Sequence, residues 1–296
     1  MKTFHFDFMK YRVLFLLMSS ALVAFSIFAM VKKGFNYGID FKGGAKLEYQ
    51  FKEAINEQAI RDALKDLNLG DMNVVRFGDP EERRMSIKVG LPEEHASISD
   101  PITAALAKQF GEENVQLDQE VTVGPKVGKD LRTKAWLTIL TSWLIMLIYI
   151  GFRFDFNFAP GAVVALIHDV TITLGLFAWM GKEINLTILA AILTLIGYSV
   201  NDTIVVFDRI RENKADISPS TVLDVINSSI NSTLGRTIIT SLTVLFVVLV
   251  LFYRGGGTLH DFAFALTVGT IVGTYSSIFV ASPLYIWMYR LMSSKK

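Results

Sequence analysis

The chain has 296 residues, a mean hydropathy of +0.41 and 51% hydrophobic residues, whereas charged residues make up 19%. A soluble domain carries about 25% charged residues, so this composition favours a membrane protein. The formal net charge of +1 gives no argument for nucleic-acid binding, and the absence of cysteine excludes disulfides, thiolate metal sites and cysteine nucleophiles.

The first apolar run covers residues 13–31 and follows a basic stub, residues 1–12. It is longer than the apolar core of a signal peptide, roughly 7–15 residues, and residues 28–32 contain no small-x-small cleavage site. We therefore expect an uncleaved membrane anchor. A transmembrane helix needs about 20 apolar residues, and residues 135–290 supply five more such runs. The predicted spans are 135–152, 159–180, 184–207, 236–253 and 262–287, with a loop at 208–235 and a tail at 291–296.

Residues 32–134, between the first two spans, have the composition of a water-soluble domain. Ser99 and Asp100 open its second helix, with Pro101 at the first helical position. The order βαββαβ is typical of a ferredoxin-like split sheet backed by two helices; the alternative is a looser α+β hairpin arrangement. The sequence thus predicts an all-α six-helix membrane bundle with an inserted α+β domain. The predicted elements are strand 45–51, helix 56–69, strands 72–77 and 85–89, helix 99–110 and strand 115–123.

Basic residues in the short loops predict the orientation. With a cytoplasmic N-terminus, ten basic residues lie on the cytoplasmic flanks and two, Lys182 and Arg254, in short outer loops. Lys32 and Lys33, just outside the first span, count against this orientation. We expect both termini and the 208–235 loop in the cytoplasm and residues 32–134 outside the membrane. The ten are Lys2, Lys10, Arg12, Arg153, Arg209, Arg211, Lys214, Arg290, Lys295 and Lys296.

Three ionisable groups stand within or at the edge of the apolar runs, namely Asp169, Asp202 and Arg236. A carboxylate near the bilayer centre costs roughly 3 kcal/mol on insertion scales, so such a residue is a functional candidate. Two acids and a base on three helices can pair when ionised and separate on protonation, and we predict them as a proton relay. The alternatives are structural. Asp169 would pair with His168 to hold helices together, Asp202 would be a neutral packing residue, and Arg236 would snorkel to the interface.

The remaining motifs favour packing over chemistry. Gly269 and Gly273, spaced as Gly-x-x-x-Gly in the last span, predict close helix packing. Gly255–257 lacks the lysine of a phosphate-binding loop, and the four histidines are scattered. We therefore predict no catalytic site, no metal site and no bound cofactor.

Five motifs spread over nearly the whole chain resemble the signatures of one family. They are Gly-Ile-Asp-Phe-Lys-Gly-Gly at 38–44, Val-Gly-Pro-Lys-Val-Gly at 123–128, Ala-Leu-Ile-His-Asp at 165–169, the stretch 201–213, and Asn-Ser-Thr-Leu-Gly-Arg-Thr at 231–237. In these motifs, in their order and in the layout of spans, the chain resembles the SecD/SecF family of bacterial protein-export membrane subunits.

The resemblance implies half of the twelve-helix plan of resistance–nodulation–division (RND-like) exporters, with SecD as the separate second half. It implies association with the SecYEG channel and YajC in the bacterial cytoplasmic (inner) membrane, and no enzymatic activity. Unfolded preproteins would be drawn outward late in translocation at the expense of the proton motive force, with H⁺ as the coupling ion. The family's membrane acid and arginine map onto Asp202 and Arg236, and Asp169 is added to them. The supporting positions in the same motifs are His168, Asn201, Thr203, Asp208 and Arg209.

Two other functions remain open at the level of sequence. A half-size, RND-like small-molecule/proton antiporter would homodimerise, and a non-transporting scaffold would leave the membrane acids unexplained. Short connectors bracket the external domain, and we predict them as hinges, with simple tight turns as the alternative. The connector positions are Gly38, Asp40, Gly43, Gly44, Gly124, Pro125 and Gly128.

Overall fold

The computed structural model describes residues 5–67, 69–70, 72–78, 80–90, 98–154 and 156–293. These residues form a bundle of long helices and a small sheet domain, and each part has its own apolar core. In chain order the elements are α1 Arg12–Lys33, β1 Asn36–Tyr37, α2 Ile39–Lys42, β2 Gly44–Phe51, α3 Glu57–Ala63, β3 Met72–Phe77, β4 Arg84–Val89, α4 Ser99–Phe110, β5 Val115–Val123, α5 Pro125–Arg153, α6 Ala159–Met180, β6 Glu183–Ile184, α7 Leu186–Glu212, α8 Val222–Arg254, α9 Gly256–Ser276 and α10 Ser282–Ser293.

Six helical segments are long and apolar enough to cross a membrane. This confirms the six-helix part of the predicted fold. Helix α6 is the most enclosed, because 72% of its apolar window is buried inside the protein, compared with 17% for the first segment. Helix α6 therefore lies at the centre of the bundle, and α1 exposes most of its surface. The segments are Met9–Lys33, Pro125–Arg153, Ala159–Met180, Leu186–Glu212, Val222–Arg254 and Leu259–Met292.

The external domain is a four-stranded antiparallel sheet in the order β3-β4-β2-β5. Alternate residues of β2, such as Leu47 and Tyr49, are buried, and they pack with Ile60 of α3 and Ile102 of α4 in one core. Both helices therefore cover the same face of the sheet. This arrangement confirms the prediction of an inserted α+β domain with the ferredoxin-like order.

Within this domain two helix boundaries differ from the prediction. The first helix ends at Ala63 and is followed by a 3-10 turn at Lys65–Leu67, whereas the predicted helix continued to residue 69. Its N-terminus begins after Asn56, whose side chain accepts a 2.7 Å hydrogen bond from the Ala59 N–H. In α4, Pro101 is the third helical residue and not the first.

Several membrane helices extend past the predicted spans, and one predicted span is interrupted. Helix α5 begins at Pro125, ten residues earlier, because a proline after Gly124 is favoured in the first turn of a helix. The predicted 208–235 loop is largely helical, since α7 continues to Glu212 and α8 begins at Val222. The last predicted span is not one regular helix, because a π-helical turn, Ser277–Ala281, separates α9 from α10.

Small residues bring the bundle helices close together. A Cβ on Gly273 would lie 3.0 Å from Ser199 Cβ, and one on Gly269 would enter the side chain of Leu195, so both glycines pack against α7. This confirms the close packing predicted from the Gly-x-x-x-Gly spacing. Gly175 of α6 likewise allows close packing against α1, because an added Cβ would lie 2.6 Å from Ser26 Cα.

Candidate functional site: two buried aspartates in the helix bundle

Asp169 is completely buried in α6, and its carboxylate is enclosed by side-chain hydrogen bonds. Oδ2 accepts hydrogen bonds from Ser199 Oγ of α7 at 2.5 Å and from Ser276 Oγ of α9 at 2.8 Å. Oδ1 lies 2.9 Å from Nδ1 of His168. Three helices thus meet at this carboxylate, and each of its oxygens has at least one partner.

Irregular backbone and a buried imidazole border the Asp169 cluster. The π-helical turn begins directly after Ser276, and π-turns inside helices occur frequently at functional sites. His168 is also buried, and its Nε2 has no hydrogen-bond partner among the residues that the structure describes. Its ring lies 6.2 Å from the Tyr275 ring. The predicted pairing of Asp169 with His168 is therefore present, within a larger serine network.

Asp202 lies in α7 with 3% of its surface exposed, yet it has few partners. Ser241 Oγ of α8 lies 3.4 Å from Asp202 Oδ2, which is long for a hydroxyl hydrogen bond. Ser241 Oγ also lies 2.7 Å from Thr274 Oγ1 of α9, so its proton has a closer competing acceptor. The carboxyl group of Asp202 is thus buried but weakly hydrogen-bonded.

Arg236 of α8 lines a groove of about 630 Å³ between α7 and α8. Asn201, Asp208 and Arg209 line the same groove, which the predicted orientation places on the cytoplasmic side. Between the described residues, no ion pair within 4.0 Å joins Arg236 to Asp202 or to Asp169. The structure therefore brings Arg236 and Asp202 into one region without direct contact, and it separates Asp169 from the arginine.

The supporting motif positions serve local contacts. Thr203 Oγ1 lies 3.5 Å from the Ser199 carbonyl oxygen, and Asp208 forms an ion pair of 2.8 Å with Arg211. Arg209 contacts Glu212 at 2.7 Å and Ser232 Oγ at 3.2 Å. These contacts stabilise the end of α7 and the beginning of α8, beside the groove.

The connector glycines are points of close approach. A Cβ added to Gly43 would lie 2.6 Å from Pro125 Cα, and one added to Gly128 would lie 2.7 Å from the Gly43 nitrogen. A Cβ added to Gly44 would lie 2.6 Å from the Val89 carbonyl oxygen. Gly43 also has φ +84°, a backbone angle that favours glycine. Gly124, in contrast, has open space around it. The hinge role stays a prediction, and alanine at position 43 cannot test it because the side chain itself would be strained.

The hydroxyl partners of the two aspartates were not predicted from the sequence. They are Ser199 and Ser276 for Asp169 and Ser241, itself bonded to Thr274, for Asp202. A usable signal was present on α7, since Ser199 precedes Asp202 by three residues and therefore lies on a neighbouring face. The partners from α8 and α9 could not be assigned without the helix packing. Among the described residues, no group of three His, Asp or Glu side chains is arranged to hold a metal ion.

Comparison with known proteins places these residues in a family. The chain matches the family of protein export membrane proteins SecD/SecF, C-terminal, over residues 102–291 and the SecD/SecF GG motif over residues 28–55. The chain belongs to the SecD/SecF family of membrane proteins. The matched GG motif region contains the connector residues Asp40, Gly43 and Gly44.

Curated relatives named protein translocase subunit SecF resemble the chain over nearly its full length. The protein from Calditerrivibrio nitroreducens is 43% identical over 98% of this chain and 95% of its own. The one from Desulfurispirillum indicum is 44% identical over 97% and 93%, and the one from Vibrio alginolyticus is 43% identical over 94% and 88%.

Two solved structures of SecDF have the same fold. The crystal structure of SecDF from Thermus thermophilus, described as a translocon-associated membrane protein, aligns with a TM-score of 0.82 and 33% identity over 99% of this chain. SecDF in its super-membrane-facing form aligns with a TM-score of 0.69, also at 33% identity. The chain spans 39% and 40% of the length of these two SecDF chains.

Proposed function

We propose that this chain is an auxiliary subunit of the Sec protein-export machinery, and that protonation of Asp202 couples the proton motive force to late outward movement of preproteins. Its partners would be a SecD-type second half, the SecYEG channel and YajC, in the bacterial inner membrane with both termini cytoplasmic. Family membership supports the export role, because the curated relatives are named protein translocase subunits. The proton step rests on the environment of Asp202.

The observation that carries the proton step is the weak hydrogen bonding of a buried carboxyl group. Among the described residues, the Asp202 carboxyl has one side-chain hydrogen bond, at 3.4 Å, so little hydrogen bonding stabilises its charged form. Burial without compensating hydrogen bonds penalises a charge, and protonation removes that penalty. Asp202 is therefore the membrane carboxyl whose state responds most to a change in its surroundings.

Arg236 supplies such a change. It lines the groove beside α7 without an ion pair to Asp202, so movement of α8 towards α7 would bring the guanidinium to the carboxylate. An approaching arginine favours the ionised form of Asp202 and promotes proton release. Its withdrawal favours uptake of the next proton. Two such positions of α8 would provide the two states that a coupling cycle needs.

The second half of the transport unit would come from SecD. The chain covers 39% of a SecDF chain at a TM-score of 0.82, which supports a partner of comparable size beside it. Transporters built from two related halves place their ion sites at the interface between them. Purification in mild detergent would show this partner: we expect a SecD-type protein, whereas a homodimer alone would favour the antiporter.

Export assays with conservative variants test the proton step. We expect Asp202→Asn and Arg236→Ala to lower gradient-dependent export of a preprotein at least tenfold in membrane vesicles, to the level seen with an uncoupler. The matched control is Asp224→Asn, an exposed acid in the first turn of α8, which should export at the wild-type rate. If Asp202→Asn exports like the wild type while the gradient is maintained, the proton step is wrong and Asp202 serves packing.

A further inference from the structure

The turn between α6 and α7, Gly181–Asn185, contacts three other parts of the chain, and we name it the outer turn. Its strand β6 pairs in parallel with β1, and Asn36 Nδ2 donates a 3.0 Å hydrogen bond to the Gly181 carbonyl. Asp40 Oδ2 accepts a 2.9 Å hydrogen bond from the Leu186 N–H at the start of α7. The connector that leads into the external domain is thus fastened to the outer end of the helix that carries Asp202.

Two adjacent residues of the outer turn form ion pairs in different directions. Lys182 Nζ lies 2.5 Å from Asp261 Oδ1 of α9, so this pair stays within the helix bundle. Glu183 Oε2 lies 2.5 Å from Lys88 Nζ of β4, so this pair reaches the external domain. The outer turn therefore contacts the helix bundle through Lys182 and the external domain through Glu183.

The Lys88–Glu183 pair is not supported by apolar packing. The external domain and the bundle have separate cores, and a polar groove of about 520 Å³ lies beside the pair. The domain is also joined through its two connectors, which cross where Gly43 and Gly128 pack backbone against backbone. A domain attached at one crossing point can pivot, and the ion pair fixes its inclination.

We propose that Lys88–Glu183 is a latch that holds the external domain against the outer turn, and that its opening lets the domain pivot at the Gly43–Pro125 crossing. The outer turn joins α6 to α7, so a shift of α7 reaches the latch directly. The pair is partly exposed, with 23% and 19% of the two side chains accessible. Exposed ion pairs change an equilibrium by roughly two- to fivefold, which suits a contact that must open and close.

Gly38 provides an independent reason to assign this role. A Cβ at Gly38 would occupy the position of the Glu183 carboxylate and come 3.2 Å from Asn185 Cβ. Its backbone angles, φ −72° and ψ 177°, are open to any residue, so an added side chain would act on the flexible end of Glu183 and not on the backbone. Gly38→Ala should therefore displace Glu183 from Lys88 without changing any charge.

Spin-label distances test the latch directly. The chain has no cysteine, so Glu113→Cys in the external domain and Arg254→Cys at the outer end of α8, both exposed, give one defined label pair. The full chain would be measured in lipid nanodiscs by pulsed electron paramagnetic resonance. We expect Lys88→Glu, Glu183→Lys and Gly38→Ala each to raise the population of a second distance two- to fivefold, and the double charge reversal K88E/E183K to restore the wild-type distribution.

A matched control separates the latch from general disturbance of the turn. Reversal of the neighbouring pair, K182E/D261K, should leave the distance distribution unchanged. Lys88→Gln and Glu183→Gln replace any reversal that fails to fold. Wild-type distances in the single variants, or no restoration in the double reversal, would overturn the latch. Because the readout is a distance, its failure leaves the proton step at Asp202 untouched, and a failed export test leaves the latch untouched.

Discussion

Asp169 and Asp202 are buried carboxyl groups on adjacent helices, but their surroundings differ in kind. Asp169 has a partner for each oxygen, including two serine hydroxyls at 2.5 and 2.8 Å, and is completely buried. Asp202 has one contact at 3.4 Å and lies near a groove that contains an arginine. Burial alone therefore does not describe the two carboxyl groups. What distinguishes the two is how much hydrogen bonding stabilises each charge.

Full hydrogen bonding makes Asp169 a structural centre. Its partners come from α6, α7 and α9, so the carboxylate ties three helices at one point. A change of charge on this carboxylate requires two hydroxyls and an imidazole to reorient. Asp202 has no such set of hydrogen bonds among the described residues. A role in holding helices together therefore fits the geometry of Asp169 better than the geometry of Asp202.

Of the stability changes that test this comparison, the largest should come from removing a carboxyl group. Asp169→Ala leaves two serine hydroxyls and an imidazole without their acceptor, and we expect a loss of about 2–4 kcal/mol in the free energy of unfolding. Asp202→Ala should change it by less than about 1 kcal/mol. Thermal unfolding in detergent measures both. Equal losses in the two variants would mean that Asp202 is as firmly built in as Asp169.

A smaller effect is expected from the helix contact behind Asp169. Alanine at Gly273 would place a Cβ 3.0 Å from Ser199 Cβ and push α9 away from α7, at a loss of about 1–2 kcal/mol. Gly197→Ala is the matched control, because Gly197 has nothing within 4 Å and should gain up to about 1 kcal/mol. If both variants unfold at the same temperature, the close packing at Gly273 contributes nothing.

The smallest stability changes are expected when a single serine hydroxyl group is removed. Ser276→Ala removes a 2.8 Å hydrogen bond to Asp169 and should lower stability by about 1 kcal/mol. Ser241→Ala removes the 3.4 Å contact of Asp202 and a 2.7 Å hydrogen bond to Thr274 Oγ1, whose own hydroxyl still donates to the Thr270 carbonyl, and should lower stability by about 0.6 kcal/mol. Chemical denaturation of the two variants side by side gives the difference. A larger loss for Ser241→Ala would reverse the assignment of the two clusters.

The sequence predicted the parts of the fold that long hydrophobic patterns specify. Six apolar runs and the βαββαβ order gave the bundle and the inserted domain, because hydrophobic burial dominates both. The two-residue strands β1 and β6 were missed, since Asn36–Tyr37 is too short to show any alternation. The π-turn at Ser277–Ala281 was missed because its residues differ in no obvious way from those of a regular helix.

The candidate site was predicted in part. Charged residues in apolar runs stand out, so Asp169, Asp202 and Arg236 could be named from composition. Their relation could not, because it depends on which serine of α8 or α9 faces α7. The sequence treated the three groups as one relay at similar depth, whereas the structure distributes them between a closed cluster and an open one.

Infrared difference spectroscopy during a pH titration tests most directly whether Asp202 is the carboxyl group that exchanges protons. The full chain, reconstituted in lipid, would be compared with Asp202→Asn and Asp169→Asn through the C=O stretching band of protonated carboxyl groups. We expect a titrating band in the wild type that persists in Asp169→Asn and disappears in Asp202→Asn. A band that persists in Asp202→Asn and disappears in Asp169→Asn would contradict the account.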